Sequence, residues 1–198
     1  MPKTIIDLIR HGEPEGGRRY RGYNVDDPLT EKGWSQMWNA VGNYDQWDVV
    51  VSSPLQRCRA FAEALAEKQN IPMVVEENLK EVGFGSWEGK TPDELKETSL
   101  AEFEAFYADP VNNRPQGAEV LEEFIRRVVG VYDKIVEQYS GKQVLIVAHA
   151  GVIRALIAHA IDASPAGMYR IEIGNAGLSR IENRGKGDKL IFQNAKTL

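Results

Sequence analysis

The chain has 198 residues, of which 42% are hydrophobic and 27% charged, with a formal net charge of −5. That length buries a sizeable core in one domain, and the composition is not that of a disordered chain, a collagen or a repeat array. The acidic balance argues against general nucleic-acid binding and against docking on anionic membrane, so any attraction for an anionic substrate must be local.

A single cysteine, Cys58, excludes an internal disulfide and a cysteine-based zinc cluster. The opening run from Met1 to Asp7 carries charge within its apolar stretch, unlike the apolar core of a secretory leader. No apolar run approaches the ~20 residues of a membrane span. A cytoplasmic location is the expectation.

Thr4 to Ile9 reads as a short buried strand that stops at Arg10-His11-Gly12. A loop rich in Gly and Arg follows, up to Pro28. Thr30 is placed to cap a helix reaching Val41, with Glu31 in its first turn. Val49 to Val51 is a second buried strand, ending at Ser52-Ser53-Pro54. Ser53 is expected to cap the next helix, with Pro54 at its first position, and Leu55, Cys58, Phe61, Ala62 and Leu65 then recur at helical spacing.

Met73 to Val75 is a third strand. From about residue 79 to 117 the pattern weakens into a Gly-rich loop (Gly83, Gly85, Gly89) and two short helical stretches, Pro92–Glu97 and Ala101–Tyr107. This segment is the expected cap or lid. A long amphipathic helix is predicted over Ala118–Tyr139, its stripe running through Leu121, Phe124, Val128, Tyr132 and Ile135. Val144–Ala148 is another buried strand, Gly151 opens a helix over Val152–Ile161, and strands at Leu178–Ile181 and Leu190–Phe192 close the chain. Strands alternating with helices imply parallel βαβ units, hence an α/β fold with helices on both faces of the sheet. No linker or repeat divides the chain, so residues 1–198 are expected to form one domain.

Two of the three histidines occupy matching places. His11 and His149 each follow an apolar strand and have a glycine within two residues. In open α/β sheets such strand ends border the ligand crevice. A third strand end, after Val51, delivers Arg57 on the first turn of its helix. Arginine forks suit phosphate oxygens, and a neutral imidazole among those cations can attack phosphorus, because neighbouring positive charge disfavours its protonation. Phosphoryl transfer requires mainly positioning and charge stabilisation, which guanidiniums supply without a metal. Glu81, at the start of the Gly-rich loop, is the first candidate for proton donor to the leaving oxygen, and Glu13 the second. The histidine spacings match no zinc motif, so no metal and no cofactor are expected.

The residues Leu8-Ile9-Arg10-His11-Gly12-Glu13 resemble the signature of the histidine phosphatase, or phosphoglycerate mutase-like, superfamily. The likeness continues through Asp27-Pro28-Leu29-Thr30-Glu31-Lys32-Gly33, Ser52-Ser53-Pro54-Leu55-Gln56-Arg57 and Glu81 with Phe84-Gly85-Ser86-Trp87-Glu88-Gly89. It ends with Pro115-Gln116-Gly117-Ala118-Glu119, Ala148-His149-Ala150-Gly151 and Gly174-Asn175-Ala176. The resemblance implies a three-layer αβα sandwich with a mostly parallel sheet of about six strands, and a covalent phosphohistidine. It makes His11 the nucleophile, Glu81 the proton donor, and Arg10, Arg57 and His149 the phosphate pocket.

The sequence departs from that pattern at Gly17, where many members carry an asparagine that helps hold the phosphate; Arg19 or a backbone N–H is expected to replace it. Ala148 and Ala150 also stand where the second histidine block usually has a hydroxyl and a glycine. No Arg-His-Tyr-Gly follows Glu81, as it would in the mutases, so the chain resembles the phosphatase branch. Its short length and the run Val152-Ile153-Arg154-Ala155-Leu156-Ile157 are most similar to α-ribazole phosphatases of cobalamin assembly. Alternatives are a sugar-phosphate or broad-specificity phosphatase, a mutase, or a non-catalytic phosphate-binding module.

The basic run Arg18-Arg19-Tyr20-Arg21 reads as a solvated loop or a rim clamp, with Arg19 and Arg21 as substrate contacts, rather than as a nucleic-acid site. Trp87 and Phe84, beside Glu81, are placed to stack on a base-like leaving group. Trp34, Trp38 and Trp47 are expected to pack the first helix on the sheet, Cys58 to be a buried apolar group, and His159 to be a packing or surface residue. The expected partner is a small phosphorylated substrate, with no nucleic acid or membrane; the oligomeric state is open, a homodimer included.

Overall fold

Six strands form one sheet in the order β3-β2-β4-β1-β5-β6. They are β1 (Thr4–Arg10), β2 (Val49–Ser52), β3 (Met73–Val75), β4 (Gln143–Ala148), β5 (Leu178–Asn183) and β6 (Asp188–Ala195). The first four run parallel, while β5 and β6 are antiparallel additions at one edge. The computed structural model describes residues 2–198.

Alternation along the central strands divides the core into two layers, because successive side chains leave a strand on opposite faces. Ile6 and Leu8 of β1, with Val144 and Ile146 of β4, pack under α4 (Leu121–Gln138) and α5 (Ala150–Ala160). Ile9, Leu145, Val147 and Val50 face the other way, onto Met37 and Val41 of α1 (Glu31–Val41) and Phe61 and Leu65 of α2 (Gln56–Gln69). Both faces of β1 and β4 are thus covered, which is why these strands read as continuous apolar runs. The fold is the expected αβα sandwich. Among the described residues no helix is long and apolar enough to cross a membrane.

Local signals set most boundaries. The hydroxyl of Thr30 accepts from the Gly33 amide at 2.9 Å and starts α1. Thr91 and Glu94 form a reciprocal capping box at the start of α3 (Pro92–Ala108), with Pro92 at its first position. The two short helical stretches expected there are both present and meet at Ser99, whose backbone (φ −150°, ψ 43°) is not helical. Trp87, Leu95 and Phe106 give this segment a small core of its own.

Three expectations are corrected. Ser53 does not cap α2, which begins at Gln56 behind Leu55 without a side-chain cap; the Ser53 hydroxyl lies against His149 and accepts the Leu55 amide at 3.3 Å ahead of the helix. Helix α4 begins three residues late, because Gly117 turns the chain at φ +73° and Ala118 bonds back to Pro115. Trp34 and Trp38 lie against Phe61, at 6.0 and 4.8 Å between ring centroids, and so pack α1 on α2 rather than on the sheet. Trp47 is buried and donates to Asp7 of β1 at 2.8 Å.

Candidate active site

Arg10 and Ala148 are partners in the parallel register of β1 and β4. The residues that follow them, His11 and His149, therefore leave the sheet side by side, ring centroids 5.3 Å apart and edge to face. The His11 amide donates to the Ala148 carbonyl at 3.0 Å, which extends the ladder by one rung. Behind it, Gly12 and Gly33 meet backbone to backbone. A Cβ on Gly12 would lie 2.2 Å from the Gly33 carbonyl oxygen, and one on Gly33 would lie 2.2 Å from that of Glu13. The loop that carries His11 is seated on the start of α1 by this contact.

His11 Nδ1 is 2.8 Å from the Gly12 carbonyl. A carbonyl can only accept, so Nδ1 carries the proton and Nε2 keeps a free lone pair. Burial, and then the charges of Arg10 and Arg57, hold the His11 pKa well below the ordinary histidine value. The ring is neutral and nucleophilic at physiological pH. His149 is depressed as well, by burial first and by Arg57 next. Its Nε2 is 2.7 Å from the Ser53 hydroxyl and 3.6 Å from Cys58 Sγ. Burial pushes the Cys58 thiol up, so it stays protonated, donating to the Ala148 carbonyl at 3.3 Å.

Arg10 is fixed by a bond from Nη1 to the Ile173 carbonyl (2.8 Å), and Arg57 by bonds to the carbonyls of Val25 and Gly22 (2.9 Å each). Each retains a buried Nε with no hydrogen-bond partner among the described residues. Leaving such a donor unpaired costs about 1–3 kcal/mol, and more when it is charged. Desolvation lowers Arg10 to about 10, against a smaller opposing effect of Glu81.

Arg10, His11, Arg57 and Glu81 line one cavity of about 250 Å³. Glu81 is held there by two amides, from Val82 to Oε1 (2.9 Å) and from Gly151 to Oε2 (3.2 Å). Glu13 is paired with Lys32 at 2.7 Å and lines an adjoining hollow that also touches Arg10 and Arg19, not this cavity. Of the residues read as rim contacts, Arg19 and Arg21 line it and Trp87 does not. Arg21 is committed to Asp27 and to the carbonyls of Glu15 and Gly17, shaping the loop at the Gly17 position. Trp87 is 1% exposed and stacks on Phe103, because the cap requires an apolar centre. The aromatic wall is made by Tyr20, Phe84, Tyr107 and Tyr169 instead, with the Tyr20 and Tyr107 hydroxyls 2.6 Å apart. His149, expected in the phosphate pocket, is fully buried and does not line the cavity; its ring lies edge to face with that of His11.

The sequence matches the histidine phosphatase superfamily (branch 1) over residues 6–196. The chain belongs to that superfamily. It is 36% identical over 184 residues to a bifunctional protein of Mycobacterium tuberculosis, an alignment that takes in 90% of this chain and 50% of the other. The chain thus spans about half the length of that relative. It is 32% identical to the uncharacterized phosphatase PhoE of Bacillus subtilis, covering 90% of this chain and 88% of that one. Its fold is similar to the crystal structure of the α-ribazole phosphatase from Shigella flexneri, at a TM-score of 0.85 and 26% identity over 98% of both chains.

Two elements of this candidate site escaped the sequence. Arg127 of α4 holds Glu119 through Nε and Nη2 (2.7 and 2.9 Å) and caps the carbonyls of Asn78, Lys80 and Glu81. Glu119 in turn accepts the Gly83 amide at 3.1 Å. This ion pair fixes the backbone on both sides of Glu81. The second is Arg154 of α5, which also lines the cavity.

Proposed function

We propose that this protein is a metal-independent phosphomonoester hydrolase that passes the phosphoryl group through His11. The observation carrying this reading is the shared cavity in which neutral His11, the side chains of Arg10 and Arg57, and a single carboxylate, Glu81, converge. His11 Nε2 attacks phosphorus, the ester P–O bond breaks, and protonated Glu81 gives its proton to the departing alkoxide. Arg10 and Arg57 take the charge of the equatorial oxygens, the role a metal would otherwise fill. Among the described residues no group of three or more His, Cys, Asp or Glu could hold such an ion. Glu81 carboxylate then takes a proton from water as the water oxygen attacks phosphorus and the P–N bond breaks, releasing phosphate.

The test is covalent trapping. Brief reaction with a labelled phosphate ester followed by alkaline quench should leave acid-labile label on the protein, absent in His11→Ala. Label that persists in that variant overturns the reading. The ester panel includes α-ribazole 5′-phosphate, the substrate implied by the resemblance, alongside sugar phosphates and small alkyl phosphates.

A further inference from the structure

The cavity carries more positive charge than one phosphoryl group needs. Arg10, Arg18, Arg19, Arg21, Arg57 and Arg154 all line it, against one carboxylate, in a chain whose net charge is −5. Four of the six are accounted for. Arg10 and Arg57 are taken by the phosphoryl group in the proposed reaction, Arg21 is paired with Asp27, and Arg19 closes its own loop on the Gly16 carbonyl. Arg18 is exposed at the mouth.

Arg154 is different. Its Nε donates to the Ile171 carbonyl at 2.8 Å, which fixes the plane of the guanidinium, and no carboxylate lies within 4.0 Å of it among the described residues. Ala150, Gly151 and Arg154 stand three and four residues apart on one face of α5, and all three line the cavity. Gly151 is the residue whose amide holds Glu81. Arg154 therefore stands one helical turn beyond the residue that holds Glu81, and with Glu81 as the proton donor it lies near the leaving oxygen of the ester. Of the neighbouring cations it also does most to depress Arg10, ahead of Arg21 and Arg57. Two half-buried guanidiniums facing one cavity repel each other unless an anion lies between or beside them.

We propose that Arg154 is a specificity-determining residue that binds a second anionic group, a carboxylate or a second phosphate, on the alcohol part of the substrate. The inference rests on the phosphomonoesterase reading and names its substrate class: small phosphate esters with an anionic tail, ahead of esters whose alcohol is neutral. An arginine fork pre-oriented by a backbone carbonyl reads such a group bidentately.

Calorimetric binding of non-hydrolysable phosphonates tests this without turnover. Phosphonoacetate and methylenediphosphonate carry the second anion, and ethylphosphonate is the neutral-tailed counterpart. The wild-type protein should prefer an anionic-tailed ligand over ethylphosphonate by ~10–100-fold, the range of one charge-assisted contact. Arg154→Gln should shrink that ratio to below about threefold, while Arg154→Lys, keeping the charge without the fork, should retain part of it. Equal affinities in the wild type, or a preference that survives in Arg154→Gln, overturn the inference. So does an equal loss for all three ligands, which would place Arg154 on the transferred phosphoryl group. Turnover of phosphoglycolate and ethyl phosphate is measured in parallel. A binding preference that collapses in Arg154→Gln while neither ester is hydrolysed upholds Arg154 and removes the hydrolase reading.

Discussion

The Gly151 amide reaches Glu81 Oε2 at 3.2 Å, and a methyl group on Gly151 would lie 2.2 Å from Glu81 Oε1. The carboxylate thus rests where only a glycine leaves room, and the tip of a flexible side chain is what would move. Glu81→Gln should slow alkyl phosphate hydrolysis by ~10²–10⁴-fold and nitrophenyl phosphate hydrolysis far less, since a general acid matters most for a poor leaving group. Gly151→Ala should fold normally and show the same leaving-group dependence to a smaller degree. Glu13→Gln should affect both esters alike. Steady-state rates on the two esters decide it, and leaving-group dependence confined to Glu13→Gln would reverse the assignment.

Arg127 and Glu119 act on Glu81 through the backbone. Arg127→Met should lower kcat on alkyl phosphates by about tenfold, a part of the ~10²–10⁴-fold general-acid contribution, with little change on nitrophenyl phosphate. Arg127→Lys should recover part of the loss. A merely structural role would lower both rates together and leave no difference between the esters.

The pH dependence of stability follows from His11 and His149. Both have folded-state pKa values below the ordinary value of about 6.5. Below that pH the unfolded chain binds protons that the folded chain refuses, so stability falls as pH falls. The contribution is intact above pH ~6.5 and is eroded progressively beneath it. Denaturant unfolding at pH 7 and pH 5 should show a lower midpoint at the acid end. In His11→Gln the difference should narrow, and an unchanged difference would show that other groups set it.

Asp7 is fully buried in β1 and accepts from Arg180 (2.7 and 2.9 Å) and Trp47 (2.8 Å). Asp7→Ala strands the guanidinium and should cost about 3–5 kcal/mol of unfolding free energy. Asp7→Leu combined with Arg180→Met should recover most of that, because replacing both partners removes the unpaired charge. Urea unfolding with an unchanged slope is the measurement.

The strands that deliver His11 and His149 were legible because both faces of β1 and β4 are buried, leaving unbroken apolar runs that end at a polar block. Arg57 followed from its place in the first turn after β2. What the sequence hid are side chains whose partners lie far along the chain. Asp7 read as a charge interrupting an apolar stretch, yet its ion pair is 173 residues away. Ser53 has the chemistry of a helix cap, yet its hydroxyl is shared between the Leu55 amide and the ring of His149, 96 residues distant. Trp87 stood beside Glu81 in a loop whose own small core could not be seen until Leu95 and Phe106 were folded onto it. Arg127 looked like one more polar position on an amphipathic helix.

Gly12 and Gly33 each face main-chain atoms, so neither can be enlarged and neither can compensate for the other. A lineage exploring new substrates cannot trade one against the other, as it could with two interlocking side chains. Relief would require moving α1 as a body, together with Thr30 and the loop it anchors. The floor beneath His11 is therefore closed to drift, whereas Tyr107 and Tyr169 project from backbone that makes no bond to His11 or Glu81, and only the side chain of Arg154, not the helix that also carries Gly151, is free to change. Engineering or evolution of this protein has that wall as its editable surface.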